Sequence, residues 1–173
     1  MLTMDPKHLH YVNSEKHKYQ LFMLPYAGNV SMYIFVPHEK DGLAKILQEY
    51  SLVEVLKVIA EMKETLVQLN LPRFEYDYQI DLNEILPKMG FNLKTALQGI
   101  DARLQVDQAL HKAKIRTDNA GTEAAAVTVL SAVPYSAPAT PVQIDVTHPF
   151  LYAIVELQTY TPLFVGVVNK LNN

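Results

Sequence analysis

Cysteine is absent from the 173 residues, so neither a disulfide nor thiol chemistry operates in this chain. That absence leaves the compartment open, because secreted proteins also exist without disulfides. Long apolar runs are missing as well. No stretch is fit to span a bilayer, and the start MLTMDPKHLH has no run suited to a secretory leader. An excess of positive charge is lacking: the net charge is -3, so neither nucleic acid nor an anionic membrane is an expected partner. The sequence has no nucleophile elbow, no phosphate-binding P-loop and no His-Glu-x-x-His pair, so an enzyme is not expected. It has no internal repeat or low-complexity tract.

What is present reads as a folded chain. Hydrophobic content of 49% against 19% charged residues is that of a globular protein. The length predicts one domain, residues 1–173, with a real core. Residues 1–10 read as the tail of a strand or a loop. Tyr19–Met23 and Ser31–Val36 are apolar and aromatic runs joined by Pro25-Tyr26-Ala27-Gly28-Asn29, which predicts a hairpin with Gly-Asn turn chemistry. Asn29-Val30-Ser31 is a formal glycosylation sequon, with occupancy not expected if Ser31 begins a buried strand.

Two helices are predicted, Gly42–Tyr50 and Leu52–Leu66, packing on a sheet. Leu43, Ile46 and Leu47 share one face of the first; Leu52, Val55, Leu56, Ile59 and Met62 share one face of the second. Leu66–Leu71 then alternates and becomes strand. Asp81 is placed as the N-cap of a short helix with Leu82, Ile85, Leu86 and Met89 inward, and Gly90 as its stop. Ala109–Thr117 reads as a weak strand, and Val142–Val146, Phe150–Leu157 and Leu163–Val168 as buried strands. The class is α+β, mostly β-sheet with a few surface helices.

His8 and His10 form a His-x-His pair, which on a strand points both rings to one side. No further ligand stands at metal spacing, so neither a metal nor another cofactor is expected. Glu75, Asp77 and Asp81, interleaved with tyrosines, read as an exposed strand edge.

The stretch from Asp118 to Pro141 organises the rest. Gly121-Thr122-Glu123-Ala124-Ala125-Ala126-Val127-Thr128 holds small residues with one charge. Alanine favours helix, while Val127, Thr128 and Val129 pull towards strand. Pro134, Pro138 and Pro141 deny ladder hydrogen bonds, which predicts an exposed, extended loop over about 119–141.

Residues 121–128 resemble the hinge of the reactive centre loop of the serpins, the serine protease inhibitor family. His148-Pro149-Phe150-Leu151-Tyr152-Ala153-Ile154 resembles that family's R-P-F-L-F-x-I signature, and Leu163-Phe164-Val165-Gly166-Val167-Val168 its closing strand. Leu71-Pro72-Arg73-Phe74, Tyr78–Leu82 and Met89-Gly90-Phe91 are similar to further family motifs, in the family's order. The resemblance covers only the C-terminal portion of the family's domain, so the fold it implies is serpin-like and incomplete.

The resemblance implies a bait mechanism rather than catalysis by this chain. A serine protease attacks the loop and forms an acyl-enzyme; the freed hinge then inserts as a strand into the central sheet. Thr122, Ala124, Ala126 and Thr128 alternate with Glu123, Ala125 and Val127, so a small set can face inward while Glu123 stays out. The family's spacing from Gly121 places the reactive bond at Tyr135-Ser136. A large uncharged Tyr135 fits a chymotrypsin-like pocket and not the acidic pocket of a trypsin-like enzyme. By the same resemblance His111 lies near the sheet-opening region, where it bonds across the sheet; a locally satisfied histidine is the alternative.

Departures bear on efficiency. The segment between Asn92 and Ala109 is shortened to Ala96–Asp101, Asn119-Ala120 stands where inhibitory members have an acidic pair, and Thr147 replaces an amide or acid. The alternative function is a non-inhibitory interaction protein, self-associating through exposed sheet edges. The family implies an extracellular location, with a cytoplasmic one left open.

Overall fold

A computed structural model of the protein describes residues 2–49, 51–117 and 140–171. The described elements are β1 (Leu2–Ser14), β2 (Tyr19–Pro25), β3 (Val30–Pro37), α1 (Leu43–Glu49), α2 (Leu52–Ala60), β4 (Lys63–Leu71), β5 (Glu75–Asp81), α3 (Leu82–Ile85), β6 (Leu110–Arg116), β7 (Val142–Asp145), β8 (Phe150–Glu156) and β9 (Thr161–Val168). Strands dominate and helices are few, as the α+β reading expects. The chain divides into two compact units, one of residues 1–74 and 117–173, the other of residues 75–116.

The larger unit is built on a seven-stranded sheet in the order β7-β4-β1-β2-β3-β8-β9. Every neighbouring pair is antiparallel except β4 and β7, which run parallel. The predicted hairpin is β2–β3, in register from Tyr19↔Pro37 to Pro25↔Ser31. Its turn is closed by the Tyr26 N–H donating to the Val30 carbonyl at 2.9 Å. Gly28 supplies the left-handed step there, at φ +80°.

Period two sorts the side chains to two faces. Tyr19, Leu21, Tyr33 and Phe35 face Ile46 of α1 and Val58 of α2. The alternate residues Phe22, Met32 and Ile34 are buried with Phe150 and Tyr152 of β8, the latter directly opposite Ile34. β3 is therefore buried from Ser31 to Pro37, an unbroken apolar run covered on both faces.

Helix α2 is closed at its start by a full capping box. The Ser51 hydroxyl accepts from the Glu54 N–H, and the Glu54 carboxylate accepts from the Ser51 N–H. The bond from the Ser51 N–H, and a second that the Ser51 hydroxyl donates to the same carboxylate, hold the Glu54 carboxyl below the usual carboxylate range.

Several boundaries differ from expectation. β1 is a long strand rather than a tail, with a bulge between Met4 and Lys7 that accommodates Pro6. α2 stops at Ala60, and Lys63–Leu66 is strand, because Thr65 and Val67 are β-branched and Val67, Leu69 and Leu71 are buried with period two. The face of α1 includes Leu43 and Ile46 but not Leu47, which is 54% exposed. Among the described side chains of α2, Val58 is fully buried, with Val55, Ile59 and Met62 packed against the same cluster, while Leu56 is turned out. β9 is not a buried strand throughout. It is a sheet edge, and Leu163, Phe164 and Val165 are exposed.

The smaller unit contains a two-stranded antiparallel ribbon, β5–β6, in register from Glu75↔Arg116 to Asp81↔Leu110. α3 follows β5, capped by Asp81 Oδ1 accepting from the Asn83 N–H at 2.9 Å, and a 3-10 turn, Leu86–Met89, ends at Gly90 with φ +90°. The cap and the stop are as predicted, but Met89 is exposed rather than inward. Residues 93–100 form successive turns, and residues 101–109 contain no helix or strand.

Candidate functional site: the frame of the reactive loop

The hinge Gly121–Thr128 and the bond Tyr135-Ser136 lie outside the described residues. The described chain shows what holds the residues on either side of that segment, at Thr117 and at Val142–Asp145.

The incoming end is fixed at Thr117. Its N–H donates to the Phe74 carbonyl at 2.9 Å. Its hydroxyl accepts from the Phe74 N–H at 3.0 Å and lies 3.2 Å from the Phe74 carbonyl oxygen, to which it donates. One threonine thus satisfies both backbone groups of Phe74. The Phe74 ring is buried, edge-on to Phe150 at 5.6 Å and 67°, and tilted on Tyr152 at 5.2 Å and 31°. Thr117, the last described residue before the segment, is thus clamped to an aromatic core cluster.

The outgoing end is fixed by β7. Val142–Asp145 lie parallel to β4, with Val67↔Val142 and Asn70↔Asp145 at the limits of the register. Side chains repeat the pairing: Gln143 Nε2 donates to Gln68 Oε1 at 2.7 Å, and Asn70 Nδ2 donates to Asp145 Oδ1 at 2.6 Å. The Val146 N–H adds a bond to the Asn70 carbonyl at 2.9 Å. Ile144 and Val146 are buried, so the exit is anchored by packing as well. A little further on, His148 Nε2 lies 2.7 Å from the Pro37 carbonyl; this contact requires the ring to donate, which places the proton on Nε2.

In the ribbon, β6 ends at Arg116, next to Thr117 in the chain. The register puts Glu75/Arg116, Asp77/Lys114 and Gln79/Lys112 on one face and Tyr76/Ile115, Tyr78/Ala113 and Ile80/His111 on the other. The first is charge-paired. Lys114 Nζ is 2.7 Å from a Glu75 oxygen and 3.4 Å from an Asp77 oxygen. The hydrogen bond to Glu75, then the charge of Asp77, raises the Lys114 ammonium, and the hydrogen bond from Lys114 lowers the Glu75 carboxyl. The second face is aromatic and aliphatic. β6 has β5 on one side, and its other edge is unpaired among the described residues. His111 lies on the apolar face opposite Ile80 and is exposed, and its ring makes no hydrogen bond among the described residues. The acidic strand is the exposed edge that the sequence suggests, with Asp81 spent on capping.

His8 and His10 are both exposed on β1, and His8 Nδ1 stands 3.8 Å from a Glu64 oxygen. Among the described residues no group of three His, Cys, Asp or Glu side chains could hold a metal ion, and no helix is long and apolar enough to cross a membrane. The Thr117 clamp and the β4–β7 side-chain ladder escaped the sequence reading. The Pro72-x-Phe74 match was the signal available for the first; nothing local marks the second, because its partners are far apart in the chain.

The family model described as Serpin (serine protease inhibitor) matches residues 1–171. The chain belongs to the serpin family. It is similar to mouse alpha-1-antitrypsin 1-3, with 38% identity over 86% of this chain and 37% of that protein. Human serpin B4 is 36% identical over 83% of this chain and 39% of that protein. Among solved structures, uncleaved ovalbumin matches 95% of this chain and 46% of that one with a TM-score of 0.75, at 21% identity. Serpin48 of the insect Tenebrio molitor, described as a highly specific serpin, matches 98% of this chain and 45% of that one with a TM-score of 0.71, at 23% identity. These structural matches speak to the fold. The chain thus spans less than half the length of these serpins.

Proposed function

We propose that this serpin chain carries the bait of a serine protease inhibitor, with Tyr135-Ser136 as the reactive bond and a chymotrypsin-like enzyme as target. The reading rests on the free edge of β6. A hinge at Gly121–Thr128 follows β6 closely in the chain, and turning back it would pair antiparallel with that edge. The ribbon has one apolar face, which suits the small alternating residues Thr122, Ala124, Ala126 and Thr128. The anchors at Thr117 and β7 support a loop held at both ends. The protein acts as a substrate analogue, and the catalytic groups belong to the protease.

The test is incubation of the full chain with chymotrypsin, followed by a denaturing gel and mass analysis. A covalent band at the summed mass, with the loop cut after Tyr135, supports trapping. Cleavage after Tyr135 without a stable complex rejects inhibition by this chain and leaves it a substrate. Cleavage elsewhere rejects the assignment of the reactive bond.

A second reading is favoured by the same unpaired edge. Among the described residues β6 and β9 each have a neighbouring strand on one side only, and such open edges pair with other strands. On this reading the protein is a non-inhibitory interaction module that associates with itself. Sedimentation at rising concentration separates the two: a monomer throughout rejects self-association.

A further inference from the structure

The chain as a whole carries a net charge of -3, yet one recess in the larger unit is lined mainly by positive charge. It has a volume of about 200 Å³ and lies between the β1–β2 turn and the start of α1. The turn contributes Lys16, His17 and Lys18, and the helix contributes Lys45. The buried Ile46 side chain gives it an apolar wall. Glu39 is the single carboxylate among the described residues that line it.

The backbone around the recess is held from several sides. The His38 N–H donates to the Lys18 carbonyl at 2.9 Å, which ties the turn to the end of β3. The Gly42 N–H donates to the Glu39 carbonyl at 3.1 Å, and the Ile46 N–H to the Gly42 carbonyl at 3.2 Å. A Cβ at Gly42 would stand 3.0 Å from Pro37 Cβ, so the turn before α1 packs tightly against the end of β3. The cations are less settled than the walls. Lys18 reaches Glu15 at 3.5 Å, but neither Lys16 nor Lys45 forms an ion pair among the described residues, with Glu39 or any other carboxylate. Lys18 also holds φ +56°, which glycine or asparagine adopts at less cost. Turn geometry therefore gives no reason for a lysine there.

Like charges gathered around one concave space repel until an anion enters, and an apolar wall strengthens the attraction once it has. We propose that this recess binds a small phosphate monoester as its dianion, with Lys16 and Lys45 as the pairing cations and Lys18 and His17 beside them. Two ammonium groups without a partner match two negative charges, and each donates to a phosphate oxygen as a point charge. Size sets the class. At roughly 30 Å³ per water molecule in the liquid, the recess holds about six or seven waters' worth of volume. That is enough for a phosphate with a short ester group and too little for a polyanionic chain. The Glu39 carboxylate repels negative charge beyond the dianion. A bound phosphate joins the β1–β2 turn to α1, so occupancy stabilises the larger unit.

The experiment titrates the isotope-labelled full chain with methyl phosphate at neutral pH and constant ionic strength, followed by amide NMR. The expected result is a set of shifts confined to the amides around residues 16–18 and 42–46, saturating in the millimolar range or below, with a rise in the thermal midpoint at saturation. Lys16→Gln combined with Lys45→Gln should weaken binding at least about tenfold. The same double variant without ligand should keep or raise its midpoint, because it relieves repulsion. Lys63→Gln, a charge removed elsewhere on the unit, should leave affinity unchanged. Shifts that do not saturate, or that chloride reproduces, overturn the site. Undiminished affinity in the double variant, or an equal loss in Lys63→Gln, overturns the assigned cations. Methyl sulfate binding as tightly as methyl phosphate overturns the assignment to a dianion.

Discussion

Strands β3 and β5 carry different patterns and meet different fates. β3, Val-Ser-Met-Tyr-Ile-Phe-Val-Pro, has β2 and β8 as neighbours and is buried from its second residue to its last. β5, Glu-Tyr-Asp-Tyr-Gln-Ile-Asp, has β6 alone, and none of its residues is buried. The continuous apolar run needs cover on both faces and has it. The alternating run is built for cover on one face, and the described residues leave Tyr78 56% exposed. Isolated two-stranded ribbons are marginal in water, so the larger unit should carry most of the measurable stability. Mutations that test this fall into a series of decreasing effect.

The largest effect is expected in the aromatic cluster beside Thr117. Phe150 is fully buried and meets Phe74 edge-on. Phe150→Ala should lower stability by about 3–5 kcal/mol, read as a fall in the urea midpoint with an unchanged slope. Tyr78→Ala in the ribbon should stay within about 0.5 kcal/mol. Equal losses at the two sites would erase the contrast between the units.

Next comes Gly166, opposite Tyr152 in the β8–β9 register. A Cβ there would run into the Tyr152 ring, and Tyr152 cannot swing away because it is buried against Phe74. Gly166→Ala should cost about 1–3 kcal/mol. The double variant Gly166→Ala with Tyr152→Phe should recover part of that loss, since the phenolic oxygen is the nearest atom.

How much of this was legible depends on whether the signal was local. The β2–β3 hairpin, the Asp81 cap and the Gly90 stop were readable because each rests on residues adjacent in the chain. The end of α2 was missed because the helix was carried through the polar Lys63-Glu64-Thr65 to Leu66; the alternation was read from Leu66, whereas the strand begins at Lys63. Leu47 and Leu56 looked like core residues because a helical stripe is about 100° wide and its limits depend on the packing partner. The hinge and reactive bond were named from the family's pattern. The clamp that frames them joins Phe74 to Thr117 and cannot be seen in either neighbourhood alone.

That clamp gives the third member of the series. Thr117→Val keeps the shape and removes the hydroxyl, leaving the Phe74 N–H without its acceptor. The expected loss is about 1–3 kcal/mol, with faster hydrogen exchange at the Phe74 amide. If the loop is bait, cleavage after Tyr135 should persist in this variant. A lost cleavage site with an intact fold would mean that the clamp sets the presentation of the loop.

The smallest effect belongs to the charged face of the ribbon. Lys114 bridges Glu75 and Asp77, and all three are well exposed, so salt screens the network. Lys114→Met should leave the midpoint of the larger unit unmoved and act on titration instead. The Glu75 carboxyl, held low chiefly by its hydrogen bond from Lys114, should rise to the ordinary carboxylate range in an NMR titration. The sign follows from linkage. A lowered carboxyl contributes stability above the ordinary glutamate range and loses it as the pH falls through the lowered value. The raised Lys114 ammonium contributes below the ordinary lysine range and loses it as the pH rises through the raised value. Local protection of the ribbon amides should therefore form a plateau across neutral pH, sloping off at both ends. In Lys114→Met this network should contribute to neither slope. A plateau unchanged by the substitution would show that the ribbon owes its order to backbone pairing and its apolar face, with the charges as bystanders.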